Sequence, residues 1–132
     1  KTLVIRLSGL RVKQAEMRDD GNCLFRSIAH QIWADPEKHM EVRQACCSRL
    51  VSHRDDYVLY SSSDDEYDEY VEKMKNDSEW GDEIALKAIV DFFDCIVYVV
   101  VSTEGSWYHR YGPSRCNTDA ELSQCKPIFL SY

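Results

Sequence analysis

The sequence predicts an α/β (α+β) domain, a small mixed β-sheet packed between helices. Three observations carry this. Between residues 23 and 93, apolar residues recur at helical spacing in four successive segments. The run Cys95-Ile96-Val97-Tyr98-Val99-Val100-Val101 is apolar and rich in β-branched residues, which suits a strand buried on both faces. Near the end, Ile128-Phe129-Leu130 within residues 127–132 reads as a last strand. At 132 residues the chain fits one domain, 1–132, able to bury roughly two-thirds of its unfolded surface.

Taken in order, Leu3-Val4-Ile5 reads as a short strand. Ser8, Gly9, Asp19, Asp20, Gly21 and Asn22 then place a turn before Cys23. From Cys23 the pattern is helical: Leu24, Ile28 and Ile32 recur at every fourth position, with Phe25, Ala29 and Trp33 beside them and Asn22 suited to the N-cap. Asp35-Pro36 is expected to open a second helix with the stripe Val42, Cys46 and Leu50, flanked by Met40, Cys47 and Val51. Residues 61–65 are a polar break. Tyr67, Tyr70, Val71 and Met74 mark a third helix, whose acidic start suits the helix dipole. Residues 76–81 form a loop, and Asp82 can cap a fourth helix carrying Leu86, Ile89, Val90 and Phe93. Residues 107–111 are a candidate strand and 112–124 a loop.

The formal net charge of −7 argues against a nucleic-acid partner, whose phosphates require a basic face, and suits a basic protein partner or simple solubility. No apolar run approaches the ~20 residues of a membrane-spanning helix. Lys1 leads through Leu3-Val4-Ile5 straight into polar sequence, unlike a secretory signal, so the expectation is an intracellular protein, cytoplasmic or nuclear, and a monomer. The first residue is not Met, and the chain is expected to be part of a longer protein. Six cysteines would allow disulfides only in a secreted context. No Cys-x-x-Cys or His-x-x-x-His pair occurs. His109, Cys116 and Cys125 match no zinc spacing, so no metal and no cofactor are expected.

The segment Asp20-Gly21-Asn22-Cys23-Leu24-Phe25-Arg26-Ser27 carries the chemistry. A cysteine attacks carbonyls as a thiolate, and a free thiol ionises only near pH 8.5. At a helix N-terminus the unpaired N–H groups and the dipole stabilise the anion. Gly21 lets the backbone approach a ligand, and N–H groups of this turn can face a developing oxyanion, each donor contributing about 3 kcal/mol in acyl transfer. The residues alone leave a second reading open, in which Cys23 is a small buried hydrophobe, as Cys46, Cys47 and Cys95 are read to be.

Asp20-Gly21-Asn22-Cys23-Leu24-Phe25-Arg26 resembles the nucleophile motif of the ovarian-tumour (OTU) family of cysteine proteases. Glu41-Val42-Arg43, Tyr67-Asp68-Glu69-Tyr70, Trp80-Gly81-Asp82 and Pro127-Ile128-Phe129-Leu130-Ser131-Tyr132 resemble the family in the same order, so the resemblance spans about 20–132. It implies a papain-like fold and a deubiquitinase. Its substrate would be ubiquitin or polyubiquitin, or a ubiquitin-like modifier. It further implies Cys23 as nucleophile, Asp20 as the acidic residue ordering the site, and the backbone N–H groups of Gly21, Asn22 and Cys23 at the oxyanion. Residues 76–83, among them Asn76, Trp80, Gly81, Asp82 and Glu83, would line the channel for the ubiquitin tail. Loop packing by Trp80 and helix capping by Asp82 are the alternatives for those two. The family's general-base histidine follows the last strand by a few residues, and none of His30, His39, His53 and His109 matches it. His39 and His53 read as exposed, and His109 is the fallback within the chain. The expectation is therefore a chain that stops before its histidine. The alternative function is a non-catalytic ubiquitin-binding domain of the same fold.

Overall fold

A computed structural model of the chain describes residues 21–100 and 108–131. Helix α1 spans Cys23–Trp33, α2 His39–Ser52, α3 Arg54–Tyr57, α4 Asp64–Met74 and α5 Glu83–Phe93. Strands β1, Cys95–Val100, and β2, Tyr108–Tyr111, follow, then a short α6, Asp119–Leu122, and β3, Lys126–Ser131. The expected strand at Leu3-Val4-Ile5 lies outside the described residues, as do Asp20, Val101, Trp107 and Tyr132.

The sheet has the order β2-β1-β3. β1 pairs antiparallel with β2 and parallel with β3, so it is mixed as expected. α2 lies at the centre of the helical layer. Its stripe Val42, Cys46 and Leu50 is wholly buried with Phe25 and Ile28 of α1 and Ala85 and Ile89 of α5. Val97 and Ile128 join this core from the sheet. Each such Leu, Ile or Phe contributes about 1.5–3 kcal/mol by leaving water, so the three helices are held as one block.

Directions matter for the site. The start of α1 lies by the start of α5, where Gly81 is close to Leu24 and Phe25. Their far ends also meet, the rings of Trp33 and Phe93 being 5.8 Å apart. The two helices thus run the same way. Asp94, in the left-handed conformation at φ 55°, reverses the chain directly into β1. β1 and its parallel neighbour β3 therefore return towards the end that holds Cys23. Gln31 of α1 ties this layer to β3 by two bonds to the Phe129 backbone, donating to its carbonyl and accepting from its N–H.

Several sequence expectations are corrected. Asp35-Pro36 opens a single 3₁₀ turn, Pro36–Lys38, in which the Asp35 carboxylate accepts from the Glu37 N–H at 3.0 Å; the α-helix begins at His39. Val51 is 59% exposed, because it lies one residue, about 100°, around the helix from Leu50. His39, expected at the surface, is buried at the start of α2. The expected loop 112–124 contains α6, capped by the Thr118 hydroxyl accepting from the Glu121 N–H at 3.1 Å. α3 and the 3₁₀ turn Val58–Tyr60 were not foreseen.

Candidate active site

Cys23 is the first residue of α1 and is half-buried, and none of the six cysteines is in a disulfide. The turn before it is pressed against the loop between α4 and α5. A Cβ on Gly21 would come 1.4 Å from the Ser78 carbonyl oxygen, so only glycine allows this approach. Ser78 itself holds φ 69°, a left-handed conformation unusual for serine. Further along the loop, a Cβ on Gly81 would meet a Leu24 methyl at 2.6 Å.

Asn22 occupies the N-cap position of α1, but its side chain makes no capping bond. Instead it bridges to the loop. Its Oδ1 accepts from the Ser78 N–H at 3.0 Å, and its Nδ2 donates to Asp77 Oδ1 at 2.7 Å. The Asn22 carboxamide thus leaves the first N–H groups of α1 to other acceptors. Arg43 of α2 completes the joint. Only 1% exposed, it donates through Nη2 to Asn22 Oδ1 at 2.7 Å, the Glu79 carbonyl at 2.7 Å and the Gly21 carbonyl at 3.3 Å. Its Nη1 donates to the Met74 carbonyl at 2.9 Å, and the guanidinium lies 4.2 Å from the Phe25 ring centroid. Burial lowers the Arg43 pKa from its ordinary value, but a guanidinium remains charged at neutral pH.

This geometry orients donors. In a trans peptide, C=O and N–H point opposite ways. With the Gly21 carbonyl held inward by Arg43, the Asn22 N–H is directed away from it. The Asn22 carbonyl accepts from the Arg26 N–H at 2.8 Å in the first helical turn, so the Cys23 N–H points out of the helix start. Both N–H groups belong to the helix N-terminus that carries the thiol, where the helix dipole favours negative charge. The Gly21 N–H belongs to the peptide shared with Asp20, which lies outside the described residues.

The remaining expected site residues divide. Trp80 is 56% exposed on the loop, so it does not pack the loop against the core. Asp82 caps α5, accepting from the Ala85 N–H at 3.0 Å and from the Tyr70 hydroxyl. Glu83 is exposed beside the Tyr111 hydroxyl. Asn76 is exposed and acts through its backbone, its carbonyl accepting from the Glu79 N–H at 3.3 Å. Of the histidines, His30 lies on α1 itself, about 10 Å along the axis from Cys23. His109 is exposed on the edge strand β2, opposite Val99. Cys116 and Cys125 come together, their sulfurs 3.9 Å apart, but no group of three metal-ligating side chains forms among the described residues. Sequence reasoning missed Arg43. The signal was a cation beside the buried stripe, with Cys47 one turn further on the same side.

The site thus consists of a half-buried cysteine at a helix start, the glycine turn before it and the loop between α4 and α5 packed against that turn. The model of the OTU-like cysteine protease family matches residues 18–132, and the chain belongs to this family. It is 33% identical over 103 residues to OVARIAN TUMOR DOMAIN-containing deubiquitinating enzyme 9 of Arabidopsis thaliana, over 78% of this chain and 29% of that protein. The chain spans about a third of the length of such curated relatives. Among solved structures, the OTU domain of OTUD1 superposes with a TM-score of 0.86 at 18% identity, over 99% of this chain and 85% of that one. The Hazara virus OTU bound to ubiquitin gives 0.63 at 16% identity, over 90% and 74%.

Proposed function

We propose that the domain is a thiol-dependent deubiquitinase that hydrolyses the isopeptide bond after the ubiquitin C-terminal tail. The observation that carries this is the half-buried Cys23 at a helix start, after a glycine turn that Arg43 and the 76–80 loop hold in place. Relatives named as deubiquitinating enzymes and a fold neighbour solved with ubiquitin support the substrate class. The Cys23 thiolate attacks the scissile carbonyl, and the oxyanion is held by the Asn22 and Cys23 N–H groups, aided by Gly21. The protonated base gives its proton to the leaving lysine amine. The thioester is then hydrolysed by a water that the base deprotonates, and the proton returns to free Cys23. Asp20 orders the turn and the base. Residues 76–83 receive the tail, with Trp80 as the apolar contact. No cofactor takes part.

We place the base on a histidine that follows β3. Phe129 lies beside Gln31, eight residues and about 12 Å along α1 from Cys23. β3 runs back towards Cys23 at about 3.3 Å per residue, so the strand direction reaches the thiol roughly four residues beyond Phe129. The unbonded cysteines suit a reducing intracellular compartment. We take the active form to be a monomer.

The full-length protein should cleave ubiquitin dimers. Cys23→Ala, or replacement of the histidine after β3, should abolish cleavage while ubiquitin binding persists. His109→Ala should leave the rate unchanged. Cleavage lost only on His109→Ala would move the base to His109. Ubiquitin binding without cleavage by the unmodified protein would establish the non-catalytic binding domain instead.

A further inference from the structure

We propose that Arg43 is a positioning residue that clamps the oxyanion turn and the tail loop into one body, so that substrate seated on the loop steadies the donors at Cys23; this rests on the thiol-protease reading of the site. Arg43 is more than nine-tenths buried, yet its side-chain hydrogen bonds to oxygen go to the main-chain carbonyls of Gly21, Met74 and Glu79 and the side-chain amide of Asn22. None of these acceptors is a carboxylate. Burying a charge carries a desolvation penalty of several kcal/mol, and well-packed apolar residues commonly replace such groups without loss of stability. A cation kept here is therefore poorly explained by stability alone. Its acceptors show what it does instead: two lie in the turn before Cys23, and two lie at the C-terminus of α4 and in the loop after it.

The planar guanidinium suits this task. A fork with five fixed donors can hold three segments at once in a set orientation, whereas a lysine ammonium is a flexible point charge. By holding the Gly21 carbonyl and Asn22 Oδ1, Arg43 fixes the peptide whose N–H faces the oxyanion. The loop shares the same anchor. Ser78 donates to Asn22 Oδ1, Asp77 accepts from Asn22 Nδ2, and Glu79 is bound by Arg43 itself. Trp80 follows immediately, exposed to the partner. A force on Trp80 thus reaches the oxyanion turn through three hydrogen-bonded residues. A displacement of about 1 Å at a reacting centre costs on the order of 100-fold in rate, so loosening the clamp should act on kcat more than on KM.

The test compares the full-length wild type with Arg43→Lys and Asp77→Ala. Asp77 is exposed, so its replacement spares the core. The readouts are kcat and KM on a fluorogenic ubiquitin C-terminal amide, alkylation of Cys23 by iodoacetamide, and amide exchange at residues 21–23 and 76–80. Arg43→Lys should lower kcat by about 30- to 100-fold and Asp77→Ala by about 3- to 10-fold, with KM changed less than about threefold. Cys23 should still alkylate at close to the wild-type rate, because iodoacetamide generates no oxyanion. Exchange should quicken in both segments together. Wild-type kcat in Arg43→Lys overturns the proposal, as does a loss of activity that tracks unfolding while Asp77→Ala is neutral. If the wild type itself does not cleave ubiquitin, the proposed function fails, and exchange decides the clamp alone. Joint loosening of both segments then upholds it, and unchanged exchange overturns it.

Discussion

Replacing Gly21 by alanine tests the closest contact in the site. The added Cβ would sit 1.4 Å from the Ser78 carbonyl oxygen and 2.1 Å from its carbon. Reaching even 3.0 Å requires the two backbones to separate by about 1.6 Å. That distance is enough to break the Ser78–Asn22 bond at 3.0 Å and the Asn22–Asp77 bond at 2.7 Å. Two lost partly buried bonds cost about 2–6 kcal/mol, from about 1–3 kcal/mol each. At about 4 °C per kcal/mol for a domain of this size, the melting temperature should fall by at least about 8 °C. Displacement on this scale should also lower kcat/KM by more than about 100-fold on a ubiquitin substrate. Calorimetry and steady-state kinetics on the full-length protein measure both. Adding Ser78→Gly should not rescue the variant, because the clash is with the main-chain carbonyl, although the second change relieves the positive φ of Ser78. A Gly21→Ala protein that melts within 2 °C of wild type and cleaves at the wild-type rate would refute the reasoning.

Trp80→Ala should raise KM about tenfold, as loss of an aromatic contact of about 1.4 kcal/mol requires, with the melting temperature unchanged because the ring is exposed. Asp82→Ala removes the α5 cap and the partner of the Tyr70 hydroxyl. The cap alone is worth about 1 kcal/mol, so the melting temperature should drop by about 4 °C or more by calorimetry. Alkaline pH should destabilise the domain through two of its buried acids. Burial pushes the Cys95 thiol up to about 11 and the Tyr67 phenol up to about 12, so the folded state holds these protons more tightly than the unfolded chain. Stability from these groups is complete below about pH 9 and is lost as pH rises through 11 for Cys95 and through 12 for Tyr67. Urea midpoints should stay level to pH 8.5 and fall steeply from 9 to 11, and Cys95→Ala should flatten the first part of that fall.

The parts legible in the sequence were those governed by one dominant pattern. α1 and α5 follow from apolar residues at fourth positions, and β1 from a run of β-branched residues that no other element would bury. The turn before Cys23 was legible because Gly21 and Asn22, both turn formers, directly precede the helical pattern. What escaped depended on contacts between distant segments. Asn22 has the chemistry of a cap, and nothing local shows that Ser78 and Asp77 would take its carboxamide across 55 residues of chain or more. Arg43 is legible in the sequence only as part of Glu41-Val42-Arg43, and nothing local shows that the turn and the loop close over it. α6 is a different case, since Thr118-Asp119-Ala120-Glu121 carries a helix-start signal that the surrounding polar sequence obscured. His39 likewise lies at a helix start that only tertiary packing covers.

The most direct measurement is the site of reaction with a ubiquitin probe carrying a C-terminal electrophile. Incubated with the full-length protein and mapped by mass spectrometry, the probe should form one adduct, on Cys23. Cys23→Ala should abolish it without weakening ubiquitin binding. An adduct on Cys46, Cys95 or another cysteine, or no adduct from a folded protein that still binds ubiquitin, would contradict Cys23 as the nucleophile.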